Sequence, residues 1–160
     1  MYPTRIDLSE AVRTKVNEIL NARLADVLDL KSHAKQAHWN VKGPHFIGLH
    51  KLFDEVAETV DEFSDEIAER IVILGGTAYG TSQDVVKSSS LPAYPENIGS
   101  GQAHIVALAT SLAACAKLVR ADIATTDEAG DADTADLLTG LSRSLDKYLW
   151  FVEAHVQTEQ

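Results

Sequence analysis

The stretch FIGLHKLFDEVAETVDEFSDEIAERIVILGG, residues 46–76, decides the fold of this chain. Mostly apolar side chains recur in it at intervals of three and four residues, which is the spacing of one face of an α-helix. The helical repeat of apolar residues stops at Gly75 and Gly76, and glycine directly after the last residue of such a repeat commonly ends a helix. The stretch therefore predicts one long amphipathic helix over about residues 45–74. The residues at the repeating positions are Phe46, His50, Phe53, Ala57, Val60, Ser64, Ile67, Ile71 and Leu74.

Three other segments repeat this helical spacing. The first covers about residues 8–37, with Asp7 and Glu10 as a candidate capping box at its start. The other two lie in the C-terminal half, over about residues 105–123 and 138–152. No stretch of useful length alternates with period two, so no β-sheet is predicted.

The region between residues 76 and 101 is rich in proline, glycine and small polar residues, which indicates a long connection with a short helix around residues 82–88. It separates two helical hairpins with short links. The predicted fold is all-α: a ferritin-like four-helix bundle with a long crossover between helices two and three that carries a short extra helix. We expect one such domain over residues 1–160.

The composition limits the classes of partner. The chain has 14 basic and 24 acidic residues, and its net charge of −10 opposes binding to nucleic acid or anionic membranes and suits small cations. A single cysteine, Cys115, excludes an internal disulfide and is expected to be an inert core residue. The N-terminus lacks a signal-peptide pattern, and no apolar segment approaches the roughly 18 residues of a membrane span. We therefore expect a soluble, cytoplasmic protein without a membrane partner.

Two pairs of polar residues on the second helix are candidate metal ligands. His50 and Asp54 lie one turn apart, and so do Asp65 and Glu69, so each pair shares a helix face. Such pairs more often belong to a solvated face when taken singly. Asp54 and Asp65 are also about 16 Å apart along the helix axis, so the two pairs cannot share a metal within one chain.

A second chain could bring the two pairs together. When two copies of a helix pack antiparallel about a two-fold axis, the residues that face each other have position numbers with a constant sum. His50 with Glu69, and Asp54 with Asp65, give the same midpoint. A symmetric dimer would therefore form two equivalent sites of mixed imidazole and carboxylate character.

His38 extends this set, because it lies on the side of helix one that carries Leu20 and Leu24 and so points toward the bundle. A lone histidine on an apolar face is more often a packed core residue than a ligand, but its neighbours here favour the ligand interpretation. Imidazole and carboxylates without a thiolate favour Fe(II), Zn or Mn over softer metals. Trp39 lies near this site, and we expect it to pack at the end of the bundle.

The stretch AHWNVKGPHFIGLHKLFDEVAETVDEFSDEIAERIVILGG, residues 37–76, resembles the Dps mini-ferritins, as does DKYLWFVE, residues 146–153. That family has a histidine before a tryptophan, a second histidine twelve residues later, an aspartate four residues further, and D-x-x-x-E in a run that ends in AER. Here these ligand positions are occupied by His38, His50, Asp54, Asp65 and Glu69.

The resemblance implies a bacterial ferroxidase and iron-storage protein that forms a hollow homododecamer. His38, His50 and Asp54 of one chain, with Asp65 and Glu69 of its two-fold mate, would form a di-iron ferroxidase centre. Fe(II) would be oxidised by hydrogen peroxide in preference to oxygen, with ferric mineral stored inside and oxidative damage reduced. By donor chemistry, and not by the resemblance, Zn and Mn are possible competitors for the same positions.

The acidic turn before the last helix resembles the three-fold pore of this family, where rings of carboxylates attract Fe(II). The candidates are Asp127, Asp131 and Asp136. An equally favoured interpretation is that Asp133 caps the last helix and that the other carboxylates favour its N-terminus electrostatically.

DNA binding is expected to be weak or absent. The chain begins MYPTRIDLSE, with only Arg5 as a cation before the first helix, and ends HVQTEQ. Binding by counterion release requires several clustered cations, so association with the nucleoid is not expected.

Two alternative functions fit the sequence less well. The larger ferritins and di-iron oxidases bind metal inside one bundle through Glu-x-x-His pairs, and this sequence contains no Glu-x-x-His. A non-enzymatic DNA-coating or helical assembly protein would leave the ligand pattern unexplained. The other histidines, His33, His45, His104 and His155, match no ligand position and are expected at the surface or in packing.

Overall fold

A computed structural model describes residues 1–157, which contain five α-helices and no β-strand. The all-α prediction is confirmed, and so are the crossover and its short helix. An isolated bridge between Lys42 and Ser100 ties the α1–α2 turn to the end of the crossover. The helices are α1 (Glu10–Asn40), α2 (Phe46–Ile73), α3 (Ser82–Ser88), α4 (Gly101–Glu128) and α5 (Ala132–Glu153).

The four long helices pack as two hairpins. α1 lies along α2, α4 lies along α5, and contacts of α1 with α4 and of α2 with α5 join the hairpins, while α3 rests on α1. Each long helix contributes fully buried side chains, such as Leu20, Phe53, Leu108 and Leu141, to one apolar cluster. Burial of each such side chain stabilises the fold by about 1.5–3 kcal/mol. This core fixes which faces of α1 and α2 remain near solvent.

The ends of α1 differ from the prediction. Ser9 is the N-cap, and its hydroxyl oxygen accepts a hydrogen bond from the Val12 amide at 3.3 Å. The predicted capping box of Asp7 and Glu10 is therefore wrong. α1 also continues to Asn40, beyond the predicted end near residue 37, because the segment after Ala37 keeps helical hydrogen bonding.

The N-terminal segment is fastened to the end of α2. Gly75 ends that helix with φ of +82°, and its carbonyl accepts a hydrogen bond from the Tyr2 amide at 2.7 Å. A Cβ atom at Gly75 would lie 2.4 Å from the Tyr2 carbonyl oxygen, so glycine is required for this approach. Ile6 and Leu8 pack against the core beside it. The segment is thus part of the bundle surface rather than a free arm.

α4 corrects one expectation about apolar segments. It contains an 18-residue window with a mean hydropathy of 1.4, which is long and apolar enough to cross a membrane by those two criteria. Half of that window is buried inside the bundle, and a core helix of a soluble protein meets the same criteria. Its Cys115 is fully buried as predicted, and burial raises the pKa of the thiol to about 12.

The crossover is held to α1 and α4 by a buried polar network. The Ser90 amide donates to Asp26 Oδ1 at 2.6 Å on α1. Tyr94 in the crossover is hydrogen-bonded to His104 Nδ1 at 2.8 Å, and its ring packs 5.1 Å from that of His33. His33 is in turn hydrogen-bonded to Ser111 on α4 at 2.9 Å. Both histidines are therefore buried packing residues, and burial lowers the pKa of each ring.

Candidate metal centre

His38 and His50 meet where the last turn of α1 crosses the first turns of α2. Their rings are stacked with centroids 3.7 Å apart and planes inclined by 20°. His38 Nδ1 lies 2.7 Å from the His50 carbonyl oxygen, and His50 Nδ1 lies 2.8 Å from the His38 carbonyl oxygen. The two residues therefore hold each other through two reciprocal hydrogen bonds.

These bonds determine which ring nitrogens can bind a metal. A carbonyl oxygen can only accept, so Nδ1 of each ring must carry the proton. In the neutral rings Nε2 of His38 and of His50 then has a free lone pair. A carbonyl that fixes the tautomer of a histidine in this way is the usual support of a metal-binding imidazole. Each ring can therefore offer Nε2, and not Nδ1, to a metal ion.

Asp54 lies one turn beyond His50 and is partly exposed. Its Oδ1 accepts a hydrogen bond from Lys35 Nζ at 2.5 Å and lies 3.9 Å from His38 Nδ1. The hydrogen bond from Lys35 lowers the pKa of the Asp54 carboxyl, and the nearby His38 and His50 rings lower it further. Asp54 is accordingly presented as an ionised carboxylate beside two imidazoles.

Asp65 and Glu69 lie toward the other end of α2, and both side chains are exposed. The structure does not bring them near the histidine pair within one chain, in agreement with the axial separation of about 16 Å between Asp54 and Asp65. Over residues 1–157, no three His, Cys, Asp or Glu side chains gather closely enough to hold one metal ion.

The face of α2 that carries these residues also has exposed apolar side chains at both ends. Ile47 is 61% exposed and Val72 is 60% exposed, and their neighbours Phe46 and Ile73 are also exposed. Positions 47 and 72 lie at equal distances from the midpoint between residues 59 and 60, and so do positions 46 and 73. The two ligand pairs are symmetric about the same midpoint. That midpoint is also the centre of α2 as the structure bounds it, Phe46–Ile73.

Trp39 is exposed in the single chain. Its side chain is 68% exposed, because it follows His38 on the outer side of α1, away from the core. Within one chain it neither covers the histidine pair nor fills the end of the bundle.

The three candidate pore residues differ in their surroundings. Asp127 and Asp136 are exposed at the α4–α5 turn. Asp131 is only 2% exposed, and its carboxylate accepts from the Thr134 amide at 3.1 Å and from Arg70 Nη2 at 2.7 Å. Asp131 is thus the N-cap of α5, and the interpretation that Asp133 is the cap is wrong. The Asp131 carboxylate is thus engaged by Arg70 and by the start of α5 within the chain, and its place in a pore stays a prediction.

Known proteins resemble this chain over most of its length. Residues 17–160 match the ferritin-like domain family. The DNA protection during starvation protein of Agrobacterium fabrum is 47% identical over 156 residues, which cover 98% of this chain and 96% of that protein. The structure of Mycobacterium smegmatis Dps in its tetragonal form has a TM-score of 0.93 at 33% identity, covering 98% of this chain and 95% of the other.

The chain belongs to the Dps family of ferritin-like proteins. Dps from Microbacterium arborescens in the high iron form is also similar, with a TM-score of 0.85 and 31% identity over 91% of this chain and 94% of the other. The family resemblance inferred from residues 37–76 and 146–153 is therefore confirmed.

Two features of this Dps site escaped the sequence analysis. The reciprocal carbonyl bonds of His38 and His50 depend on how α1 and α2 cross, which no spacing within one helix reveals. Lys35, however, carries a signal, because it precedes His38 by three residues and so shares its helix face. A cation at that position could have been expected near the carboxylate.

Proposed function

We propose that this Dps protein oxidises Fe(II) and stores the ferric product, using sites that two chains share. The proposal depends on one observation: ligand pairs and exposed apolar residues both occupy symmetric positions on α2. His38, His50 and Asp54 would come from one chain, and Asp65 and Glu69 from its mate.

Helix geometry supports the antiparallel pairing. At 100° per residue, positions 47, 54, 65 and 72 fall within about 20° of one another, so they form a single line along α2. In a two-fold dimer Ile47 faces Val72 of the mate, and Asp54 faces the mate's Asp65. Apolar residues thus meet apolar residues at the two ends, and ligands meet ligands between them. Contacts of this isologous kind are typical of symmetric dimers.

The chemistry follows from the donor set. Fe(II) is the substrate, and the free Nε2 atoms with carboxylate oxygens offer the mixed donors that suit it, while Zn and Mn compete. Hydrogen peroxide accepts two electrons, one from each of two Fe(II) ions, and with two protons gives two molecules of water. Because the O–O bond then breaks with both electrons supplied, no hydroxyl radical leaves the site. Oxygen is the slower alternative oxidant.

The wider assembly is part of the proposal. The chain forms a single domain over residues 1–160, and twelve copies of it form a hollow shell. The protein is soluble and cytoplasmic. The exposed residues Asp127 and Asp136 line the three-fold pores of the shell. DNA binding is weak or absent in this proposal, because the net charge of −10 opposes association with a phosphate backbone.

Complementation between two inactive variants tests the shared site. His50→Ala and Asp65→Ala should each lose saturable Fe(II) oxidation by peroxide, followed as ferric absorbance. Coexpressed in equal amounts, they form mixed dimers in which one of the two sites contains no substitution. About one quarter of the wild-type sites should then be active.

A matched control uses two substitutions in the same half-site. Coexpression of His50→Ala with Asp54→Ala leaves every site damaged and should recover no activity. A shared site is refuted if the first mixture recovers no more activity than this control. A wild-type protein without saturable oxidation by peroxide or oxygen would be a non-enzymatic assembly or DNA-coating protein.

A further inference from the structure

The N-terminal segment closes a polar cavity against α1, at the end of the bundle where α2 stops. The cavity has a volume of about 330 Å³, which lies within the range of about 300–1,000 Å³ that is usual for small-molecule sites. Met1 and Tyr2 form one wall, the turn after α2 forms a second, and α1 forms the third. The segment therefore encloses a space that a ligand could fill.

Asn17 offers this cavity an acceptor that the chain does not use. The residue is only 6% exposed and lines the cavity, and its Nδ2 donates to the Met1 sulfur at 3.5 Å. Its Oδ1 has no hydrogen-bond partner among the described residues. A buried acceptor without a donor is costly to the fold, so a ligand that places an N–H group at this oxygen removes an existing penalty.

The other groups around the cavity select a cation. Glu18 contributes a carboxylate to the lining, and no lysine, arginine or histidine side chain of residues 1–157 does so. Tyr2 and Tyr79 also line the cavity with rings that are 69% and 57% exposed, and the face of a tyrosine ring attracts an ammonium group. The net charge of −10 favours the approach of such a ligand.

A second cavity continues the first one along α1. It has a volume of about 440 Å³ and shares Glu18, Asn21 and Tyr79 with the first. Its far wall belongs to α3, which contributes the carboxylate of Asp84 and one cation, Lys87. Two joined cavities with a carboxylate in each suit an extended ligand with several cationic groups better than a compact ion.

We propose that this groove binds an aliphatic polyamine. One ammonium group donates to Asn17 Oδ1 and lies against Glu18, and the alkyl chain runs past Tyr79 toward Asp84 on α3. The bound ligand contacts both α1 and the N-terminal segment, and so it fastens that segment to the bundle. The site is separate from the proposed iron centre, and either proposal can fail without the other.

Calorimetric titration of the assembled protein with diaminobutane tests the site, and butanediol is the neutral compound of matched length. Diaminobutane should bind and butanediol should not. Asn17→Leu nearly keeps the side-chain volume and should weaken binding by about tenfold to 100-fold, because a hydrogen bond to a charged group is lost. Its melting temperature without ligand should stay the same or rise, since the unpaired acceptor is also removed.

Two changes of charge should act in opposite directions. Glu18→Gln should weaken binding of diaminobutane by about twofold to fivefold, and Lys87→Gln should tighten it by a similar factor. Glu96→Gln is the matched control, because it changes the net charge as Glu18→Gln does but alters an exposed residue outside both cavities. It should leave the affinity unchanged.

Hydrogen exchange reports whether the ligand fastens the N-terminal segment. The Tyr2 amide donates to the Gly75 carbonyl at 2.7 Å, and its exchange should slow when diaminobutane binds but not when butanediol is added. The proposal is overturned if the two compounds act alike, or if Glu18→Gln and Glu96→Gln weaken binding equally. It is also overturned if Asn17→Leu lowers the melting temperature and leaves the affinity unchanged, because solvent then satisfies the Asn17 oxygen.

Discussion

Replacing Ile47 by aspartate should separate the two-fold dimer while leaving the chain folded. Complete burial of an isoleucine contributes about 1.5–3 kcal/mol. Because 61% of the Ile47 side chain is exposed in the single chain, the dimer can gain about 1–2 kcal/mol at each copy by covering it. The two-fold axis doubles this to about 2–4 kcal/mol, so Ile47→Asp should weaken dimerisation by about 30-fold to 1,000-fold.

The fold itself should tolerate this change. Residue 47 lies in the first turn of α2, which begins at Phe46, and a carboxylate near a helix N-terminus is favourable by about 0.3–1 kcal/mol. Sedimentation velocity over a range of concentrations measures the association, and circular dichroism checks the helix content. Val86→Asp on α3 is the control, since Val86 is 87% exposed and lies outside the α2 face. The proposed interface is wrong if Ile47→Asp assembles like wild type, or if Val86→Asp disrupts assembly as strongly.

Three further predictions concern pH, the α5 cap and DNA. Burial lowers the pKa values of His33 and His104. Below about pH 6.5 the unfolded chain therefore binds protons at these rings that the folded chain does not bind, so the stability of the fold should decrease as the pH falls. Melting temperatures measured from pH 7.5 to 5 should show this decrease, and His104→Gln should make it smaller. Asp131→Ala should cost about 2–4 kcal/mol of unfolding free energy in urea denaturation, because the α5 cap and the partner of Arg70 are both lost, whereas the exposed Asp133→Ala should cost less than about 0.5 kcal/mol. A gel shift with plain duplex DNA at neutral pH and moderate salt should show no stable complex, and a discrete shifted band would contradict the weak-binding prediction.

The sequence predicted the four long helices because each carries a helical period over several turns. The end of α2 was also predictable, since Gly75 adopts a φ of +82° that other residues rarely reach. The residues that cap the helices were harder to predict. Asp7 and Ser9 lie two residues apart and are both good N-caps, so the local pattern does not distinguish them. In the structure Ser9 is the cap.

The prediction of the α5 N-cap was wrong for a related reason. Asp131 and Asp133 offer the same functional group within one turn, and the choice depends on Arg70 from a different helix. Long-range partners of this kind leave no periodic signal. Trp39 illustrates the converse, because an aromatic residue at the end of a helix predicts packing, yet the single chain supplies no surface to cover it.

For the candidate site, residue spacing identified the symmetric ligand positions, and the structure adds the matching apolar ends of α2. The tautomers of His38 and His50 depend on the distance between two backbones, so only the assembled hairpin reveals them. The pairing of Lys35 with Asp54 similarly required the crossing of α1 and α2.

The burial of Cys115 affects how long the protein can survive its own proposed substrate. Peroxide attacks the thiolate form of cysteine, and because burial raises the pKa of Cys115 to about 12, the side chain stays in its thiol form at neutral pH. The other sulfur belongs to Met1, which is 51% exposed, and it accepts a hydrogen bond from Asn17 Nδ2 at 3.5 Å. Burial thus leaves the chain without a reactive thiolate for the peroxide that its proposed site would consume.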